Sequence, residues 1–172
     1  PTLIPSAAPA TRAVSGRVWH DLFSIPLGEA IAPGPQDAGC SALAAGTYQA
    51  NGLLDAGEAG LSGVRVALAS GACPGTPRAE TTSGADGAFA LDSLPAGQYC
   101  LTLDALDPSN ASLLTNGRWT LPEGATLRTQ ASREVKVGAG ESLTGQDFAW
   151  DMDGLPAATP APGTPTVAAT PV

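Results

Sequence analysis

Between residues 14 and 150 the apolar side chains fall into short runs that alternate with polar ones and are broken by Gly, Pro, Asn and Asp. No window repeats its apolar residues at helical spacing. A period of two puts successive side chains on opposite faces of an extended strand, so each run can bury only one face. Several such strands must stack as two sheets to hide those faces. The chain is therefore expected to be all-β, an Ig-like antiparallel β-sandwich with little helix.

The runs can be placed one by one. A first strand is expected over 14–19. Val64, Val66 and Leu68 alternate with Arg65 and Ala67. Residues 80–82 read as an edge strand entering Ala85-Asp86-Gly87, whose Asp-Gly pair suits a tight hairpin into Phe89 and Leu91. Tyr99, Leu101 and Leu103 share one face and leave Cys100 on the other. Looser strands are expected over 118–121, 129–137 and 144–150. Phe148 and Trp150 face inward in the last of these, Trp19 is assigned to the core by parity, and Trp119 is left open.

The ends differ in kind. From 154 to 172 recurrent Pro removes backbone donors and fixes φ, while the Ala and Thr between offer little to bury, so the segment reads as a Pro/Thr-rich linker or tail. Residues 1–13 are a shorter version, an extended arm whose most apolar stretch is Leu3-Ile4. Such composition also suits O-glycosylated stalks, with glycans on Thr and Ser. The sandwich then occupies 14–153, with a loop insertion at 22–50. The chain starts at Pro1 and reads as a processed, mature form.

Charge narrows the partners. Eight Lys and Arg against 16 Asp and Glu give a net charge of −8, the wrong sign for a nucleic-acid or anionic-membrane surface. One histidine, His20, excludes chemistry that needs two imidazoles. No apolar run approaches the roughly 20 residues of a membrane span.

Three stretches act together: GRVWHD at 16–21, NGLLDAGEAGLSGV at 51–64 and GADGAFALDSLPAGQYCLTL at 84–103. With a closing D-F-x-W at 147–150, they resemble the calcium-binding B repeats of serine-aspartate surface adhesins, the SdrD B-like type. The resemblance implies a prealbumin-like β-sandwich in a noncatalytic, extracellular, cell-surface protein. It departs from the pattern at one place, because residues 22–50 separate Trp19-His20-Asp21 from the acidic loop that directly follows it in the family.

That loop carries hard oxygen ligands at short spacing. Asn51, Asp55 and Glu58 supply side-chain oxygens, the Leu53 carbonyl lies between them, and Asp21 can reach in from the end of the first strand. Calcium takes six to eight oxygens at about 2.3–2.6 Å, and by resemblance these are the family's calcium positions. The same Asp and Asn can instead cap turns, with Glu58 solvated. Asp86 is read as a turn former, and His20 next to Asp21 makes a poor acid–base pair because neighbours on a strand diverge.

Cys40, Cys73 and Cys100 are an odd number for an extracellular chain. Cys73 follows the 64–68 strand, and Cys100 faces outward on its own, so the two can meet on the outer surface of one sheet. Their bridge would close a loop of about 28 residues, worth roughly 3.5 kcal/mol. Cys40 is then free or pairs with another chain. Relatives with this fold carry Lys-Asn isopeptide bonds from a lysine in the first strand. The only lysine here, Lys136, sits in a late strand, so no such bond is expected. Asn110-Ala111-Ser112 forms an N-glycosylation sequon.

Two functions are consistent with these features. One is a structural subunit of a cell surface or filament, self-associating through its terminal arms. The alternative is a carbohydrate- or ligand-binding module of a larger secreted protein, with the insertion and an exposed Trp119 as its recognition face. An enzyme is not expected, because Ser, Asp and Glu occur only where turn chemistry explains them.

Overall fold

A computed structural model describes residues 12–22, 40–42, 48–122 and 129–152. The arm with Leu3 and Ile4, most of the 22–50 insertion, the Cys40 side chain and the tail from 154 lie outside the described residues.

The described chain has no helix. Its strands are β1 (Val14–His20), β2 (Cys40–Ala42), β3 (Tyr48–Ala50), β4 (Arg65–Ser70), β5 (Pro77–Thr82), β6 (Ala88–Leu91), β7 (Gly97–Asp104), β8 (Gly117–Leu121), β9 (Gln130–Val137) and β10 (Phe148–Met152). They form one sheet in the order β6-β1-β10-β8, another in the order β5-β4-β7-β9, and a separate β2-β3 hairpin inside the insertion. The inner faces close a core of branched aliphatics with Phe89, Trp119, Phe148 and Trp150 at its centre. Period-two alternation sets that core directly: Phe89 and Leu91 of β6 are buried while Ala88 and Ala90 are exposed.

Four features depart from the sequence reading. The Asp86-Gly87 turn exists, with Gly87 N–H donating to the Gly84 carbonyl at 2.9 Å, but its flanking strands β5 and β6 enter different sheets. It is a corner between the layers. Trp19 has the parity opposite to Val14 and Val18, so it lies on the outer face of its sheet. It is nevertheless only 3 % exposed, because the 51–60 segment crosses that face and Gly60 bridges to Trp19. The final strand starts at Phe148 rather than near 144. Lastly, β1 and β10 pair in parallel, Val18 opposite Phe148 and His20 opposite Trp150, within otherwise antiparallel sheets.

The crossing of the 51–60 segment requires two glycines. A Cβ on Gly60 would stand 2.0 Å from the Asp86 carbonyl oxygen, and one on Gly87, at φ +79°, would stand 2.0 Å from that of Val18. Backbone meets backbone there with no room for any side chain.

Candidate metal centre

Asp21 leaves the end of β1 with its amide donating to the Trp150 carbonyl at 2.9 Å, which holds its side chain against the outer face of the β1-β10-β8 sheet. The carboxylate is fully buried. Its Oδ2 accepts the Gly52 N–H at 2.9 Å and the Thr120 hydroxyl, while its Oδ1 is buried and meets no hydrogen-bond donor among the described residues. Burial pushes the Asp21 pKa up to about 7; the Thr120 and Gly52 hydrogen bonds oppose this, and the neighbouring charges of Glu58 and Asp151 add to it. Despite the long insertion, the end of β1 and the start of the 51–58 loop are therefore joined at one buried carboxyl.

The loop is organised by its own side chains. Asn51 Oδ1 accepts the Leu53 N–H at 2.7 Å, and Asn51 Nδ2 donates to Asp55 Oδ2 at 2.9 Å. Glu58 accepts two amides, Leu22 N–H on Oε1 and Asp55 N–H on Oε2, each at 2.8 Å. These bonds let the backbone turn at Gly52 (φ +72°) and Gly57 (φ +99°). Asp21, Asn51, Asp55 and Glu58 are thus linked in one network, whereas the Leu53 side chain is 63 % exposed. Among the described residues no three His, Cys, Asp or Glu side chains stand close enough to form a ready cation cage. His20 is half-buried, which lowers its pKa.

Two residues at this centre escaped the sequence reading. Thr120 binds Asp21, and Asp151, 2 % exposed, lies 3.6 Å from Arg118 Nε. Both face outward from β8 and β10, and only the order β1-β10-β8 brings them beside Asp21.

Elsewhere, Cys73 and Cys100 are joined by a disulfide, with Cα atoms 5.1 Å apart on the outer face of the β4-β7 sheet. The Cys73 amide also donates to Glu134 Oε1 at 2.9 Å. Trp119 is no recognition surface. It is 5 % exposed, packs edge-on against Trp150 at 4.9 Å between centroids, and donates Nε1–H to the Thr129 carbonyl at 3.2 Å. Asn110 is buried too. Its Oδ1 accepts Arg65 N–H at 2.7 Å and its Nδ2 donates to the Arg65 and Asp104 carbonyls, so the folded sequon has no free amide for a glycan.

Among curated proteins none matches the sequence. Among solved structures, the chain is similar to a DUF3823 family protein from Parabacteroides merdae ATCC 43184, at 15% identity and a TM-score of 0.37 over 83% of this chain. It spans 47% of that protein's length. Residues 46–153, more than half the sequence, match the SdrD B-like domain, and the chain belongs to that family.

Proposed function

We propose that this chain is a noncatalytic structural module outside the cell whose 51–58 loop is fixed by one calcium ion. SdrD B-like domains are structural modules of extracellular surface adhesins, which gives the coarse role. The observation that carries the calcium reading is Asp21 Oδ1, a buried carboxylate oxygen that meets no donor among the described residues. A bound cation removes the cost of ionising that group in a buried site, and every nearby donor is a hard oxygen. Asp21, Asn51, Asp55 and Glu58 would hold the ion with the Leu53 carbonyl. The loop carboxylates keep lone pairs that their amide and Asn51 partners do not use.

Calorimetric titration of calcium into the chelator-stripped chain tests this. Saturable binding is expected in the native protein and its loss in Asp21→Asn. Excess chelator should lower stability by about 3 kcal/mol relative to calcium at a hundred times its Kd. No heat of binding, with melting unchanged by chelator, overturns the calcium reading and leaves the structural role.

Assembly belongs to the same proposal. The arm at 1–13, anchored by Leu3 and Ile4, would pass to a neighbouring copy, and Thr and Ser of the Pro-rich ends would carry glycans. Donor and acceptor surfaces differ in such a contact, so it propagates head-to-tail.

A further inference from the structure

Among the described residues the two sheets of the sandwich have four outer strands, and three of them are blunted. β5 opens with Pro77, and its register with β4 shifts between Leu68 and Ala69. β8 is bulged against β10 and is followed directly by Pro122. β6 is four residues long, and Ala88 already spends its N–H on Asp86 and its carbonyl on Gly84. β9 differs: it is eight residues long, with no proline and an unbroken register against β7. Its inward Arg133 is accommodated, with the guanidinium 5.7 Å from the Phe148 ring centroid and donating to the Asp147 carbonyl.

The backbone register shows which groups β9 leaves open. Ala105 N–H donates to the Thr129 carbonyl, which makes that pair hydrogen-bonded and fixes the alternation above it. Ala131, Arg133, Val135 and Val137 therefore point their N–H and C=O groups at β7. Ser132, Glu134 and Lys136 point theirs away, and among the described residues no backbone partner meets them. All three are exposed.

We propose that this edge pairs with β9 of a second copy, antiparallel, about a twofold axis through Val135. Charge selects both the partner and the register. With the axis at Val135, Glu134 and Lys136 of one copy stand opposite Lys136 and Glu134 of the other. Sliding the axis by one residue places Glu134 opposite itself, or Lys136 opposite itself, and like charges directly opposed destabilise a strand pair. The Val135 register also matches the backbone, because Glu134 and Lys136 are the residues whose N–H and C=O groups face outward. Glu134 is already steadied by the Cys73 amide and Gln98, and Lys136 is the chain's only lysine. The contact is isologous and closes at two copies, unlike a head-to-tail arm exchange, and it depends on neither the arm nor calcium.

Sedimentation of the full chain, in the native form and as Glu134→Lys, Lys136→Glu and an equimolar mixture of the two, tests the pairing. Native protein should self-associate, and each charge-reversed variant should do so roughly tenfold more weakly or worse. The mixture should regain native affinity as a heterodimer, since Lys at both positions of one copy then faces Glu at both positions of the other. That recovery also shows that the variants are folded, as does a thermal melt of each. Native protein that stays monomeric, variants that associate as the native chain does, or a mixture that fails to recover overturns the proposal.

Discussion

Asp21 carries opposite consequences for the protein with and without a cation. Its folded pKa is raised to about 7 from an ordinary 3.8, so between those values the folded chain holds a proton that the unfolded chain has released. Stability of the calcium-free protein should therefore be full below about pH 4, fall as pH rises towards 7 and level off above it. Urea unfolding in chelator at pH 5 and pH 8 should show the decline in the native chain, and Asp21→Asn should flatten it. Asn110 makes a second residue-scale case. Three hydrogen bonds end on its amide, so Asn110→Ala should cost about 3 kcal/mol by leaving buried backbone groups of Arg65 unpartnered. Equilibrium unfolding measures this, and intact mass should show no N-glycan at Asn110.

Among the elements, the loop between β4 and β5 is fastened to β7 by the Cys73–Cys100 bridge, which spans 27 positions of sequence. Replacing both cysteines by serine should lower stability by roughly 3.5 kcal/mol, read as a shift of the urea midpoint without loss of the β-sheet circular dichroism. The outward position of Cys100 was legible because alternation is a local property: with Tyr99 and Leu101 inside, Cys100 has only the other face. The same rule could not place Trp19, whose cover comes from the 51–60 segment across the sheet. Nor could it tell a hairpin from a corner at Asp86-Gly87, since the turn chemistry is identical whether the strands stay together or part into two sheets. The acidic loop itself was visible in NGLLDAGE. Its attachment to Asp21 and Thr120 was not, because those contacts depend on β1, β10 and β8 lying side by side.

For the whole molecule, the proposed assembly rests on the arm at 1–13. Removing residues 1–13 should leave a folded domain that no longer forms head-to-tail polymers, as light scattering of the truncated and intact chains will show; polymers of unchanged size would refute the arm's role. The parallel pairing of β1 and β10 bears on the same setting. Because the two strands run the same way, the chain enters the sandwich at Val14 at one end and leaves at Met152 at the other. A pull applied between Val14 and Met152 would draw the two strands lengthwise past each other, so their hydrogen bonds would be strained together instead of peeling open one by one.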